Sequence, residues 1–412
     1  MLKKSTLHIL ILSFFLLPTN PILAKSFSKI KKEFYREYRS SDYAKRMAAV
    51  EKLAKTKKLA ALKILVNVVL RRENDQYVFE ETARMLKDFD SPKCRAWLGK
   101  QIYRHPKKSI RMTLAAFARE WDGKEIAHGL VAAIQDSDWR VRSEAIYSIR
   151  KKHRVKEAIP ALIKRLGKEK GRLLGEVVEA LKDLTGTNKG TNKQAWLNWW
   201  ENNKHDFQPQ NPNQHSPQEQ VRLSTVLRRK GGFYGTIYSN NVVFIIDISG
   251  SMQAGTEAGT RIQVAKNQLK SVIDQLPAKA YFNVIAYNTK LFPWKKKSVP
   301  ANPSNKSKVK KWIDQLQADQ LTATFDALEF VFKYDKKADT IYLLSDGQPT
   351  WGRITGQEMI KSEIRKLNRY RKIIIHTIAL MAGQNPGEDE QAAITFMREL
   401  AKDNRGTFKL VK

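Results

Sequence analysis

Cysteine is almost missing from this chain: Cys94 stands alone among 412 residues. A single thiol excludes an intrachain disulfide and any metal site assembled from several cysteines. Set among Ser91, Pro92 and Trp97 in a helical stretch, it reads as a small buried apolar side chain. Acidic residues are scarce as well, with Asp and Glu numbering 41 against 75 Lys and Arg, a formal charge of +34. Such a field favours anionic partners, whether nucleic acid, an anionic envelope polymer or an acidic protein, and says nothing about fold. Beyond the first residues there is no long apolar run. A later one, Ile64 to Leu70, falls far short of the ~20 residues that cross a bilayer. A Walker loop, a His-Glu-x-x-His pair and an EF-hand loop are all lacking. So is the Gly-x-Ser-x-Gly elbow of serine hydrolases, and no histidine stands where it would act as a base. His376, inside the run Ile-Ile-Ile-His-Thr-Ile-Ala-Leu, reads as a core residue of a strand. Together these gaps argue against an enzyme.

What is present describes a folded chain of two to three domains: 42% hydrophobic and 28% charged residues over 412 positions. The start carries Lys3 and Lys4, an apolar stretch from Leu7 to Leu17, the breaker Pro18, and Ile22-Leu23-Ala24. That is the pattern of a secretory signal peptide over residues 1–24, cleaved after Ala24, and it places the mature chain in a bacterial periplasm or outside the cell. A retained N-terminal anchor is the alternative. No cysteine follows the cleavage point, so the leader is not that of a lipoprotein.

From about residue 40 to 184 the apolar spacing is helical, and a motif recurs. Val141-Arg142 with Ala145-Ile146 is matched by Ile110-Arg111 with Leu114-Ala115, by Val78 with Thr82-Ala83, by Lys45-Arg46 with Ala49-Val50, and by Leu173 with Val177-Val178. The anchors at 45, 78, 110, 141 and 173 are 33, 32, 31 and 32 residues apart. That period with two helices per unit predicts an all-α stacked solenoid over residues 25–205. Ala158 to Ile163, with Pro160 in its first turn, begins the second helix of one unit, and Asp136-Ser137-Asp138 supplies cap candidates for the first. The segment resembles the short HEAT-like repeats of bacterial proteins. Trp196, Trp199 and Trp200 share one helix face and are expected to seal the end of the stack. Residues 206–239 read as a solvated linker and entry segment, rich in Pro, Gln and Asn from Gln208 to Gln220 and closing on Gly231-Gly232.

After residue 240 the rhythm changes to strand and helix in alternation. Strands are expected at 242–248, 282–287, 340–345, 373–380 and 407–411, and helices at 261–275, 308–317, 324–332, 355–370 and 391–403. This predicts a doubly wound, Rossmann-like α/β domain over 240–412, with a mostly parallel sheet and ligands at the carboxyl ends of its strands. Lysines between 306 and 311 read as solvated loop charge, and Glu388-Asp389-Glu390 as ordinary partners of a following helix dipole.

The first strand, Val-Val-Phe-Ile-Ile-Asp-Ile-Ser-Gly-Ser-Met, runs out into Asp247, Ser249 and Ser251, every second residue. In an extended loop such positions point the same way. Oxygen-only donors with hydroxyls among them suit a hard cation, Mg²⁺ first, then Ca²⁺ or Mn²⁺. Asp346 in Leu-Leu-Ser-Asp-Gly-Gln-Pro ends a second strand in the same manner, and Thr322 precedes a helix in Leu-Thr-Ala-Thr-Phe-Asp-Ala-Leu. These segments resemble the metal-ion-dependent adhesion site of the von Willebrand factor type A family. The resemblance implies that Ser249, Ser251 and Thr322 give hydroxyl ligands, that Asp247 and Asp346 are the acidic members, one or both acting through water, and that one coordination position takes an Asp or Glu from a protein partner. It also implies two glycines before the threonine, where this chain has Gln320-Leu321. The reading is therefore an exported, non-catalytic binding or adhesion protein with the helical repeats as a second interaction surface. Two rivals stand beside it: a nucleic-acid-binding protein similar to the Ro ribonucleoproteins or to HEAT-like DNA glycosylases, and a structural protein of the cell envelope.

Overall fold

A computed structural model describes residues 26–209, 232–381 and 387–411. The expected signal peptide, most of the linker and Gly231 lie outside the described residues. No helix among the described residues is long and apolar enough to cross a membrane.

The first region is wholly helical. After α1 (Phe27–Glu37) come α2 (Tyr43–Ala54) and α3 (Leu59–Ile64), the latter continuing through a π-helical turn (Leu65–Val69) into Leu70–Arg72. Then follow α4 (Gln76–Met85), α5 (Pro92–Arg104), α6 (Lys108–Phe117), α7 (Lys124–Ala133), α8 (Trp139–Lys151), α9 (Ala158–Leu166), α10 (Gly171–Thr185) and α11 (Lys193–Asn203). The anchors read at 45, 78, 110, 141 and 173 fall on α2, α4, α6, α8 and α10, which pack on one another as one layer. Helices α5, α7, α9 and α11 form the other. Helices α5 and α7 meet backbone to backbone. A Cβ at Gly129 would come within 2.3 Å of the Gly99 carbonyl oxygen, which explains the paired glycines.

The recurring arginine of the motif does the same thing in three units. Arg46 donates to the carbonyls of Ser40 and Ser41, Arg111 to those of His105 and Pro106, and Arg142 to those of Asp136 and Ser137. Each also reaches an acid in the loop before the next unit's first helix: Glu73 at 3.5 Å, Asp136 at 2.6 Å and Glu169 at 2.8 Å. The period in the sequence is thus partly a period of inter-unit staples. Asp138 caps α8, accepting from the Arg140 amide. At the far end Trp196 is fully buried, its indole N–H donating to the Gly190 carbonyl, and Trp199 and Trp200 pack edge-on against Phe207.

The second region is an α/β domain. A sheet in the order β5-β4-β1-β7-β8-β9 is built on β1 (Asn241–Asp247), β4 (Tyr281–Tyr287), β7 (Thr340–Ser345), β8 (Ile374–Leu380) and β9 (Arg405–Val411), all parallel. The sequence reading lacked the short antiparallel edge pieces β5 (Leu291–Pro293) and β6 (Val299–Pro300), and the hairpin β2 (Gly255–Thr256) and β3 (Gly259–Thr260). Alternation along β1 divides the core. Val242, Phe244 and Ile246 face α12 (Arg261–Gln275) and α13 (Pro303–Asp314); Val243 and Ile245 face α14 (Thr324–Tyr334), α15 (Gln357–Asn368) and α16 (Glu388–Asp403). Helix α13 begins five residues before the expected start, because Asn302 caps it and Pro303 occupies its first turn. The lysines expected in a loop are therefore helical, and Lys310 pairs with Asp274 of α12 at 2.8 Å.

The two regions are packed together by buried charge. Glu144 on α8, 1% exposed, receives Arg405 at 3.0 Å and Lys372 at 3.4 Å, with Arg119 at 3.9 Å. Burial works to raise its carboxyl, but those three cations outweigh it and hold the group at about 2. Arg172 of α10 donates to the carbonyls of Asp339 and Lys372, and Arg369 to Gln76 and the Glu73 carbonyl. Asp339, Lys372 and Arg405 sit at the amino ends of β7, β8 and β9. The helical region therefore covers the edge of the sheet opposite the one where β1 and β7 run out at Asp247 and Asp346.

Candidate metal centre

Asp247 continues the odd-numbered face of β1 into the protein and is fully buried. Its Oδ2 accepts from Ser345 Oγ at 2.5 Å and from the Tyr287 hydroxyl at 3.4 Å; its Oδ1 accepts from the Ser249 amide at 2.8 Å. Neighbouring strands β7 and β4 supply the first two donors, so the carboxylate is fixed by the sheet itself. No lysine, arginine or histidine pairs with it among the described residues. Burial pushes its carboxyl up to about 6, with the charge of Asp346 adding to the effect and the serine hydrogen bonds opposing it.

The other donors converge in front of it. Ser249 Oγ and Ser251 Oγ lie 3.2 Å apart, and Ser251 Oγ donates to Asp346 Oδ1 at 2.8 Å. Asp346, 2% exposed, also accepts from Arg261 at 2.7 Å; burial still pushes its carboxyl upward against those hydrogen bonds. Thr322 lines the same cavity of ≈ 530 Å³ as Ser249, Ser251 and Asp346. Its amide donates to Thr350 Oγ1 at 3.0 Å, and its carbonyl accepts the amides of Thr350 and Trp351. The structure thus brings Ser249, Ser251, Thr322 and Asp346 to one cavity, with Asp247 directly behind the serines.

Gln320 answers the question of the missing glycines in part. It takes the left-handed backbone, φ 70°, that a glycine adopts without cost, and its carbonyl accepts the Gly250 amide at 2.8 Å, tying the two loops together. Leu321 is left 45% exposed at the cavity rim.

Sequence reading missed two charged residues of the site. Arg261, 5% exposed, bridges Asp346 and Glu390 at 2.7 Å each. Its signal was positional: it stands first in α12 after the Thr260 cap, where the helix dipole disfavours a cation, so a carboxylate partner was required. Glu390, in the first turn of α16, is accordingly more than a dipole partner. Elsewhere His376 is half-buried in β8, stacked on Tyr342 and bonded to Thr407 at 2.8 Å, away from this site.

The donor set suits a hard divalent ion. Two carboxylates and three hydroxyls are all oxygen, and Asp247 is a buried acid without a counter-charge, which a cation in front of the serines would supply. Among the described residues no cluster of three or more His, Cys, Asp or Glu is grouped to hold a metal ion.

The second region is similar to known proteins. The von Willebrand factor type A domain family matches residues 240–410. The von Willebrand factor A domain-containing protein 3A of Homo sapiens is 27% identical over 189 residues, 45% of this chain and 14% of that protein. Inter-alpha-trypsin inhibitor heavy chain H4 of Homo sapiens is 28% identical over 184 residues, 42% of this chain and 18% of that one. The matches therefore span only a small part of these curated relatives. A solved von Willebrand factor type A structure from Catenulispora acidiphila aligns with a TM-score of 0.35 at 22% identity, covering 43% of this chain and 39% of its own.

Proposed function

Residues 240–410 form a von Willebrand factor type A domain, and from that premise we propose that the chain is a non-catalytic, exported binding protein whose centre holds a divalent ion, Mg²⁺ first. Ser249, Ser251 and Thr322 give hydroxyl oxygens, while Asp346 and Asp247 give the negative charge, Asp247 through water from behind the serines. When bound, the ion offers an open coordination position to a carboxylate of an acidic protein partner. Arg261 keeps Asp346 aimed at the cavity and ties it to Glu390. The packed helical region is a second contact surface. The observation that carries this reading is Asp247: a carboxylate fully out of water, hydrogen-bonded on both oxygens, with no cation of its own.

The test is retention of peptides carrying a single Glu, with a Gln peptide as control, because a chain of formal charge +34 binds polyacids without specificity. Retention of the Glu peptide in Mg²⁺, lost in chelator and in Asp346→Asn, is expected. Chelator-insensitive capture of RNA that falls steeply as salt rises would instead favour the nucleic-acid reading.

A further inference from the structure

A second cavity, of ≈ 510 Å³, lies where the helical region meets the α/β domain. Seven Arg and Lys line it against four Asp and Glu. The acids are mostly engaged. Glu80 and Asp403 pair with Arg365 at 3.4 and 2.7 Å, and Glu144 receives Lys372 and Arg405. Glu120 is exposed, where water and salt screen its charge. Three cations are left without a close carboxylate. Arg119 comes no nearer to one than 3.9 Å, at Glu144. Arg369 donates only to the Gln76 side chain and to the carbonyls of Glu73 and Asn74, and Lys402 pairs with no acid among the described residues.

The cations are also held in place. Arg119 and Arg405 lie over the Tyr147 ring and Arg369 over Phe79, so their guanidinium planes are ordered before anything binds. Lys372 and Arg405 take left-handed backbone, φ 56° and 62°, which a glycine would adopt without cost, yet both positions keep a cation aimed at this joint. Burial lowers the Lys372 ammonium from its usual range; Glu144 opposes this, while Arg405 and Arg119 push the same way as burial. An anion in the cavity would relieve that crowding.

We infer that this cavity binds a compact ligand carrying two linked phosphate groups, held between Arg119 of the helical region and Lys402 of the α/β domain. Phosphate suits walls that present cations from both sides, because its oxygens point in all directions whereas those of a carboxylate share one plane. One phosphate carries about −1.5 to −2 at neutral pH, short of the three unmatched cations, so a linked pair fits the charge better. Bound there, the ligand ties the two regions together. The site is separate from the metal centre and does not rest on it.

The experiment titrates pyrophosphate into the full chain in metal-free buffer at about 0.15 M salt, so that the centre at Asp346 takes no part and loose surface attraction is screened. One saturable site per chain is expected. Arg119→Gln and Lys402→Gln should each weaken it about tenfold. Lys310→Gln removes the same charge from the far pair with Asp274 and should leave affinity unchanged. Lys402 is exposed and without a hydrogen-bond partner, so that variant keeps the wild-type melting profile. Pyrophosphate should also slow proteolysis between the regions in the wild type, and do so less in Lys402→Gln at the same concentration. Absence of a saturable site, or equal losses in all three variants, overturns the inference. Citrate binding as tightly as pyrophosphate overturns the choice of phosphate. A short RNA strand binding more tightly than pyrophosphate, and weakened by the same two variants, overturns the choice of a compact ligand.

Discussion

Asp247 is the residue on which the chemistry turns, and it makes a counter-intuitive prediction. An ionised, fully buried carboxylate that burial and the charge of Asp346 both disfavour opposes folding until a cation arrives. Asp247→Asn keeps the shape and removes the charge. In chelator the variant is expected to melt higher than the wild type, by the equivalent of about 1 kcal/mol. Saturating Mg²⁺ should stabilise the wild type by about 2.7 kcal/mol at a hundredfold excess over Kd, and leave the variant unmoved. Thermal melts with and without the ion measure both. At this scale the sequence was informative wherever spacing alone placed side chains together: alternate positions in Asp247-x-Ser249-x-Ser251, and strand ends at Asp346. It was silent on Ser345 and Tyr287, which reach Asp247 from neighbouring strands, because a single serine or tyrosine in a strand carries no pattern. Arg261 was legible only as a cation on the wrong end of a helix.

Among elements, the repeated arginine is the part of the helical motif with chemical content. Arg111 holds Asp136 through two parallel bonds, 2.6 and 2.9 Å, while donating to the His105 carbonyl. Lysine keeps the charge but has neither the fork nor the reach for three acceptors. Arg111→Lys is therefore expected to destabilise the helical region by about 2 kcal/mol, seen as an earlier loss of helical signal in a circular-dichroism melt. The long strands and most helices of the second region were readable because apolar periodicity fixes them: β7 falls where it was expected, and α12 does as well. The two- and three-residue strands β5 and β6 were not, since pieces that short have no period and exist only because β4 offers them an edge. The start of α13 was misplaced for a similar reason: its first turn is set by a cap, Asn302, rather than by apolar spacing.

For the whole molecule, the arrangement of the two regions was the least legible feature. Glu144, Lys372 and Arg405 are 228 and 261 positions apart along the chain, counted from Glu144, and each reads locally as surface charge. In three dimensions they are buried together, and part of the excess of basic residues is spent on this joint rather than on outside partners. Glu144→Gln leaves Arg405 and Lys372 facing a neutral group, which is expected to cost about 3 kcal/mol and to increase protease access between the regions. The pH dependence has a definite sign. The Glu144 carboxyl is held at about 2 against an ordinary 4.5, so its contribution is complete above the ordinary value and is lost as pH falls from there toward 2. Over that window the wild type should lose stability faster than Glu144→Gln, in melts recorded at stepwise lower pH. Because the joint covers the amino ends of the strands, it leaves uncovered the cavity at their carboxyl ends that Asp346 lines.

The most direct measurement is a calorimetric titration of Mg²⁺, and then Mn²⁺, into the full chain and into Asp247→Ala. One ion per wild-type chain, with heat abolished in the variant, is the predicted result. An absence of heat from both proteins with either ion, or the same binding in both, would contradict the metal centre and with it the account of what this protein does.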